Sequence, residues 1–411
     1  MNRKYDQKII NILIILTIIL YLLNFNNLVL LPYTLSLLFY LVGIFKIGNT
    51  PIFSMTGLYS IYMYIFVQIG VFSQEYFEIY LNYKVIIIIM IYNFIFTIAL
   101  IIWKNIMRFN KYTYFNTLKL NPISNRILFI IGICIFGVFF FKSGGFIIFM
   151  NDAENARINA VSGSGFLVVL GSQFLNISTL TEKKEKIRTI YLITSIILMF
   201  GTGFRSQALY LIAMYYIIYY INTNKASIPK MCVIAVIISF LYAYIGVVRS
   251  GLQNWTLLGL YKPVIWRMFV NTSNFSDILN LYPENLFTVG KSYINDLLTV
   301  LPGPQETYIL KLKDILNIQF DGGSLTPSIF GEGYYNFGLV GSVVIPILIG
   351  IIILTIDYFI RRYLSVEIYL IVSFLMVGIS TTGLMPVLLY SILPLIVVYI
   401  VRIFIMNILR E

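Results

Sequence analysis

The chain has 411 residues, 59% of them apolar and only 11% charged, and its 29 Lys and Arg against 17 Asp and Glu give a net charge of +12. An average soluble domain carries roughly 25% charged residues, so this polar surface cannot enclose so apolar a core in water, and a water-soluble enzyme is excluded. Histidine is absent, which removes His-based zinc sites, Ser–His dyads and His general bases.

A bilayer core of about 30 Å needs close to 20 apolar residues per helix. Twelve windows meet that need, at 9–24, 28–45, 52–72, 84–103, 126–141, 163–180, 189–204, 206–221, 231–248, 339–360, 366–382 and 386–402. Basic Met1–Lys8 before apolar Ile9–Leu23 lacks a small-residue cleavage site and reads as part of a first transmembrane helix. The windows at 126–141 and 189–204 are short and contain glycine. Cys134 and Cys232 fall inside apolar windows without metal-ligand spacing and read as small buried hydrophobes.

With the N-terminus in the cytoplasm, 19 of the 29 Lys and Arg fall in inner segments, among them Arg3, Lys46, Lys104, Lys183, Arg361 and Arg402. The positive-inside rule selects this orientation and places both termini in the cytoplasm. It also accounts for the net charge, so no nucleic-acid partner is needed; no basic stripe with interleaved aromatics points to one.

Residues 249–338 form the one large outer loop. They hold Pro263, Pro283, Pro302, Pro304 and Pro327 with scattered Asn, Asp and Gly. Ser292–Val300 and Thr307–Ile318 mix apolar and polar residues at helical spacing and read as short amphipathic helices at the membrane interface. The expected fold is therefore all-α: a polytopic integral membrane protein of about 12 transmembrane helices with one large outer loop containing short amphipathic helices. Residues 1–248 hold helices 1–9, 249–338 the loop, and 339–411 helices 10–12.

Four arginines lie at or near the outer face. Arg157 sits in the short loop 151–161, Arg205 in Gly201-Thr-Gly-Phe-Arg-Ser206, Arg249 at the end of a span, and Arg267 after Trp266. An arginine at membrane depth costs at least about 2.5–3.5 kcal/mol and faces a cavity or a partner. Singly, each reads as an interface anchor snorkelling to headgroups. As a set they form a group of planar, permanently charged forks suited to phosphate oxygens, as a lipid diphosphate would require. Gly201 and Gly203 allow a tight turn whose backbone N–H groups approach an anion.

A second cluster runs from Asp321 through Gly322, Gly323, Ser324, Thr326, Ser328, Gly331, Glu332, Gly333, Tyr334, Tyr335 and Asn336 to Gly341. Its glycines fit turns and close ligand approach. Asp321 and Glu332 are candidate general bases for a sugar hydroxyl, because no histidine can serve; the plain alternative is a helix entry whose N-terminal end Glu332 caps. Ser324, Tyr334, Tyr335 and Asn336 are candidate glycan contacts. Ser162-Gly-Ser-Gly165 lacks the Gly-Lys-Ser/Thr of a phosphate loop, and no Asp-x-Asp pair marks a metal-dependent transferase, so no metal and no cofactor are expected.

These stretches resemble the Wzy-type polymerases of O-antigen and capsular polysaccharide synthesis. The likeness rests on Gly201-Thr-Gly-Phe-Arg-Ser-Gln-Ala208, Arg157 with Gly163-Ser-Gly165, and Ser324–Gly341, within many spans and a large outer loop before the last three. The resemblance implies a glycosyltransferase of the bacterial cytoplasmic membrane. It would join undecaprenyl-diphosphate-linked oligosaccharide repeat units by metal-independent transfer at the outer face. Its partners would be that lipid-linked substrate, membrane lipids, and a chain-length regulator and a flippase of the same pathway. In that reading Arg157, Arg205, Arg249 and Arg267 hold diphosphate, Arg205 stabilises the leaving group, and Glu332 or Asp321 handles the acceptor. An O-antigen ligase shares the layout, but its outer loop typically supplies a histidine. A flippase would carry charge in a central cavity, whereas these spans are nearly free of it.

Overall fold

The computed structural model describes residues 3–24, 30–107, 122–150, 153–223, 257–282, 287–299, 307–317 and 325–408, with isolated positions at 237, 240, 243 and 244. The described chain is helical: α1 (Arg3–Leu23), α2 (Leu30–Ile47), α3 (Met55–Phe77), α4 (Tyr83–Ile106), α5 (Pro122–Ser143), α6 (Ala153–Thr181), α7 (Glu185–Gly201), α8 (Arg205–Thr223), α9 (Leu257–Leu281), α10 (Lys291–Leu298), α11 (Tyr308–Ile315), α12 (Ser328–Tyr363), α13 (Val366–Thr382) and α14 (Leu384–Ile408). Among the described residues seven helices are long and apolar enough to cross a membrane: α1, α2, α3, α4, α5 with its continuation to Phe149, α12 and α14. Gly165–Thr181 and Val366–Thr382 are shorter apolar helices. The expected span at 231–248 lies outside the described residues apart from isolated positions, and among the described residues seven of the twelve expected spans are long and apolar enough to cross.

These segments are helices because lipid offers no partner to a backbone amide, so every N–H and C=O must be satisfied within the segment. Their outer surface is correspondingly apolar, with Ile15, Leu22, Ile130, Ile193 and Ile400 all exposed. Cys134 belongs to this surface: it is a free, exposed thiol on α5, not the buried hydrophobe expected from its apolar neighbours. An apolar window says that a residue is in the membrane, not whether it faces protein or lipid.

Inside, α5 lies along α6, α2 along α4, α4 along α12, and α3 along α13. The centre is rich in tyrosine, with Tyr33, Tyr40, Tyr59, Tyr64 and Tyr92 all fully buried. Two of the phenols are served by a carbonyl and a hydroxyl: Tyr33 donates to Gln68 O at 2.7 Å and Tyr64 pairs with Thr17 Oγ1 at 2.8 Å.

The stretch read as a single outer loop begins with a helix that joins the bundle. α9 has 25 residues and packs on α3, α4 and α12. Its buried face includes Asn271, Thr272, Ser273 and Ser276 beside Phe269, Phe275 and Ile278, which is why hydropathy alone does not find it. The polar positions have a specific cause in α3. That helix widens into a π turn over Tyr64–Gln68, which leaves carbonyls without their ordinary helical donors. Asn271 Nδ2 donates to Phe66 O and Thr272 Oγ1 to Val67 O. Gly70 lets the two backbones meet, since a Cβ there would lie 2.3 Å from Met268 O.

The amphipathic segments appear as α10, which begins one residue before the expected 292–300, and α11, which lies within the expected 307–318. α12 is two segments. Phe337 and Gly338 leave helical geometry, Gly338 at φ +67°, and separate an entry segment, 328–336, from the long span that follows. The two parts touch backbone to backbone, because a Cβ on Gly333 would sit 2.3 Å from Gly341 O and one on Gly341 2.2 Å from Gly333 O.

Candidate functional site

Polar side chains gather at two ends of the bundle. At one end Asp357 Oδ1 accepts from Arg361 Nη2 and from Tyr369 Oη, both at 2.6 Å. Asp357 Oδ2 accepts from Thr56 N and Thr56 Oγ1, and Tyr369 Oη accepts from Met55 N at 2.7 Å. Lys104 Nζ donates to Gly48 O and Thr50 Oγ1 nearby. This network caps the N-terminal end of α3 and binds α12 and α13 to it.

At the other end the entry segment of α12 meets α10, α11 and the turn between α13 and α14. Glu332 is fully buried, and its Oε2 accepts from Leu384 N at 2.8 Å, the first residue of α14. A carboxylate at a helix N-terminus is favoured by the dipole and by the amides left unpaired there. Glu332 thus caps a helix, as its plain reading allowed, but a helix far along the chain and not its own. The carbonyl on the other side of the turn, Thr382 O, accepts from Tyr308 Oη at 3.2 Å. Between them Gly383 has φ +92° and ψ 177°, a region open essentially to glycine alone. One-residue turn, carboxylate and phenol are packed tightly: a Cβ on Gly383 would lie 2.7 Å from Tyr308 Oη and 2.9 Å from Glu332 Oε1.

Asn336 organises the segment above. Its Oδ1 accepts from Thr288 Oγ1 and Ser292 Oγ, both at 2.7 Å, and its Nδ2 donates to Glu332 O at 3.0 Å. Thr288 N and Val289 N donate to the carbonyls of Tyr335 and Asn336, so α10 is fastened to the entry segment by backbone as well. Tyr334 and Tyr335 are buried, Tyr334 edge-on to Phe287 and Tyr335 against Tyr282 and Tyr308. Burial of the Tyr308 phenol, helped by the carboxylates of Glu332 and Asp296, pushes its pKa well up and keeps it a donor.

Arg267 lies on α9, half-buried, with Nη1 3.5 Å from Thr326 Oγ1 in the segment leading to Ser328. Glu332, Tyr334, Tyr335 and Asn336 thus share one entry segment, and Arg267 lies by the chain that leads into it. Arg205 opens α8 directly after the turn at Gly203, which has φ +76°. Arg157 lies on α6, and the side chains of both arginines are outside the described residues, as are Arg249, Asp321 and Ser324 altogether. Gly163-Ser-Gly165 continues α6 as helix.

Sequence reasoning missed Asp296 and Tyr308. Asp296 is buried on α10, and its Oδ1 accepts from Tyr308 N at 2.7 Å. The available signal was a lone acid inside an amphipathic segment, which by itself reads as the solvated face. Among the described residues no group of three His, Cys, Asp or Glu side chains converges as metal ligands.

No curated protein and no solved structure matches the chain. The family model described as "Putative O-antigen polymerase" matches residues 46–393, which take in the loop, both polar ends and every described candidate residue. On that match, which spans most of its length, the chain belongs to the O-antigen polymerase family.

Proposed function

We propose that the protein joins undecaprenyl-diphosphate-linked oligosaccharide repeat units into polymer at the outer face of the bacterial cytoplasmic membrane. The growing glycan leaves its lipid diphosphate and joins a hydroxyl of the incoming unit. The observation that carries this reading is the polar region at the loop end, where a buried carboxylate, Glu332, meets the turn before α14 and its segment is tied to α10 and α11, with Arg267 beside the stretch of chain that leads into it. Arg157, Arg205, Arg249 and Arg267 hold the diphosphates, and Arg205 stabilises the leaving group, an effect worth about 2.7–4 kcal/mol for a single preorganised donor. Glu332 or Asp321 receives or orients the acceptor hydroxyl. Ser324, Tyr334, Tyr335 and Asn336 form the glycan side, and of these Asn336 acts through the frame it holds together. The basic inner segments keep both termini in the cytoplasm.

The test is deletion of the gene followed by electrophoresis of the surface glycan, with complementation by wild type, Glu332→Gln and Arg205→Ala. A single capped repeat unit in the deletion, restored to a ladder by wild type alone, is expected. Free lipid-linked polymer would identify a ligase, and absence of glycan beyond the cytoplasmic face a flippase. A normal ladder from Arg205→Ala or Glu332→Gln at normal abundance would remove that residue from its role.

A further inference from the structure

Among the described residues, the buried oxygens without a hydrogen-bond partner at the loop end of the bundle include Glu332 Oε1, Asp296 Oδ2 and Tyr293 Oη. They come from two elements, α10 and the entry segment of α12. Each carboxylate is anchored through its other oxygen to a backbone N–H, Asp296 to Tyr308 at 2.7 Å and Glu332 to Leu384 at 2.8 Å. Both are essentially inaccessible, at 1% and 0% exposure. An asparagine or a glutamine would make the same two anchors through its carbonyl oxygen without burying a charge. Two carboxylates therefore ask for a reason beyond anchoring, since a buried charge is costly unless it is paired or neutralised.

We propose that Asp296 is the second carboxylate of the reaction centre, sharing with Glu332 the proton that the acceptor hydroxyl releases, and that Tyr293 passes it between them and the substrate. This rests on the polymerase reading. In the step the acceptor O–H bond breaks and its oxygen bonds to the anomeric carbon of the growing glycan. The bond from that carbon to the phosphate oxygen breaks, and its electron pair leaves on the lipid diphosphate. The acceptor proton goes to Tyr293 Oη as the Tyr293 proton passes to the carboxylate pair. Tyr293 suits the relay because its ring is half-buried at the edge of the region while its hydroxyl is enclosed. Burial and the two carboxylates push its pKa far up, so it stays protonated between transfers.

Asp296 is faced by Glu332 and Tyr335 from α12, by Tyr308 and Lys311 from α11, and by Tyr293 from its own helix. Burial raises its pKa to about 6, against the opposing pull of the Tyr308 N–H and the Lys311 charge. A base poised near the working pH is the efficient one. An unfolded aspartate titrates near 3.9, so between about 4 and 6 the folded protein binds the extra proton. Stability from this group is then greatest at the acid side and falls as pH rises through that window.

The experiment uses the purified full chain in detergent, in two arms. In the first, thermal unfolding of wild type and Asp296→Asn is followed from pH 4.5 to 8. The wild-type midpoint is expected to fall with rising pH up to about 6, and the slope of the variant to be shallower. In the second, elongation of lipid-linked repeat units is measured over the same range. Asp296→Asn is expected to lower kcat by roughly 10²-fold or more, the size of a general-base contribution. KM should stay near wild type, the loss of rate below pH about 6 should disappear, and Asp296→Glu should recover part of the rate. Tyr293→Phe should lower kcat without moving the unfolding profile. Asp296→Asn with the wild-type unfolding slope, or with the wild-type rate and acid limb, overturns the inference. A wild-type chain that elongates nothing overturns the polymerase reading instead, and the unfolding arm still decides the proton held by Asp296.

Discussion

Replacing Gly383 by alanine tests whether the turn between α13 and α14 sets the geometry of the site. Two costs follow from the coordinates. Gly383 sits at φ +92°, ψ 177°, and a residue with a Cβ held in so sparse a region costs of order 1–3 kcal/mol. The added carbon would lie 2.7 Å from Tyr308 Oη and 2.8 Å from Glu332 Cδ, so one of the two ties across the turn must yield. Losing the bond of Tyr308 to Thr382 O costs about 0.5–1.5 kcal/mol, and losing the charged bond of Glu332 to Leu384 N about 1.5–3 kcal/mol. The total is roughly 1.5–6 kcal/mol, most of it local to the site. A shift of about 1 Å in positioned groups lowers a rate by about 10²-fold. Polymer ladders and single-turnover elongation, normalised to protein abundance, read the outcome. Gly137→Ala on α5 is the control, since a Cβ there meets nothing within 4 Å. Wild-type rate and wild-type melting temperature in Gly383→Ala would refute the claim that this turn is held by contact with Glu332 and Tyr308.

Asp357→Asn should lower thermal stability strongly, by about 3–5 kcal/mol, because it removes the charge that pairs with Arg361 in a buried network; differential scanning fluorimetry in detergent measures it, and an unchanged midpoint counts against a structural role. Asn336→Ala strips the acceptor from two hydroxyls, so α10 should loosen from α12, seen as faster amide exchange over Lys291–Leu298 than in wild type. Cys134→Leu should leave the melting temperature in detergent near that of wild type, because an exposed position on α5 loses no protein packing, and a large drop would count against that exposure.

The helical membrane class was legible because it depends only on runs of apolar residues, and Val85–Met90 or Ile345–Ile356 admit no other reading. α9 was not, because its polar residues serve carbonyls released by a π turn two hundred residues earlier, and neither partner signals the other in sequence. Glu332 could be singled out as an acid in a glycine-rich stretch. Its true partner, the amide of Leu384, is a backbone group in another helix and carries no residue signature. Asp296 and Tyr308 escaped for a related reason. In an amphipathic segment the polar side is taken to face water, whereas here it turns inward to meet a second polar surface. Asn336 shows the converse, a residue read as a glycan contact whose amide is consumed inside the protein.

The network around Asp357 has a consequence for how the chain is made. Thr56 and Met55 are bound to Asp357 and Tyr369 across 301 and 314 positions of sequence. A ribosome releasing the N-terminal end first, at about 5–20 residues per second, leaves the start of α3 without these caps for at least about 15 seconds. Until α12 arrives, the early helices are a set of inserted hairpins whose register at that end is unsecured. Assembly therefore closes from its last-made part back onto its first, and a chain cut before residue 357 loses the clasp while keeping every early span.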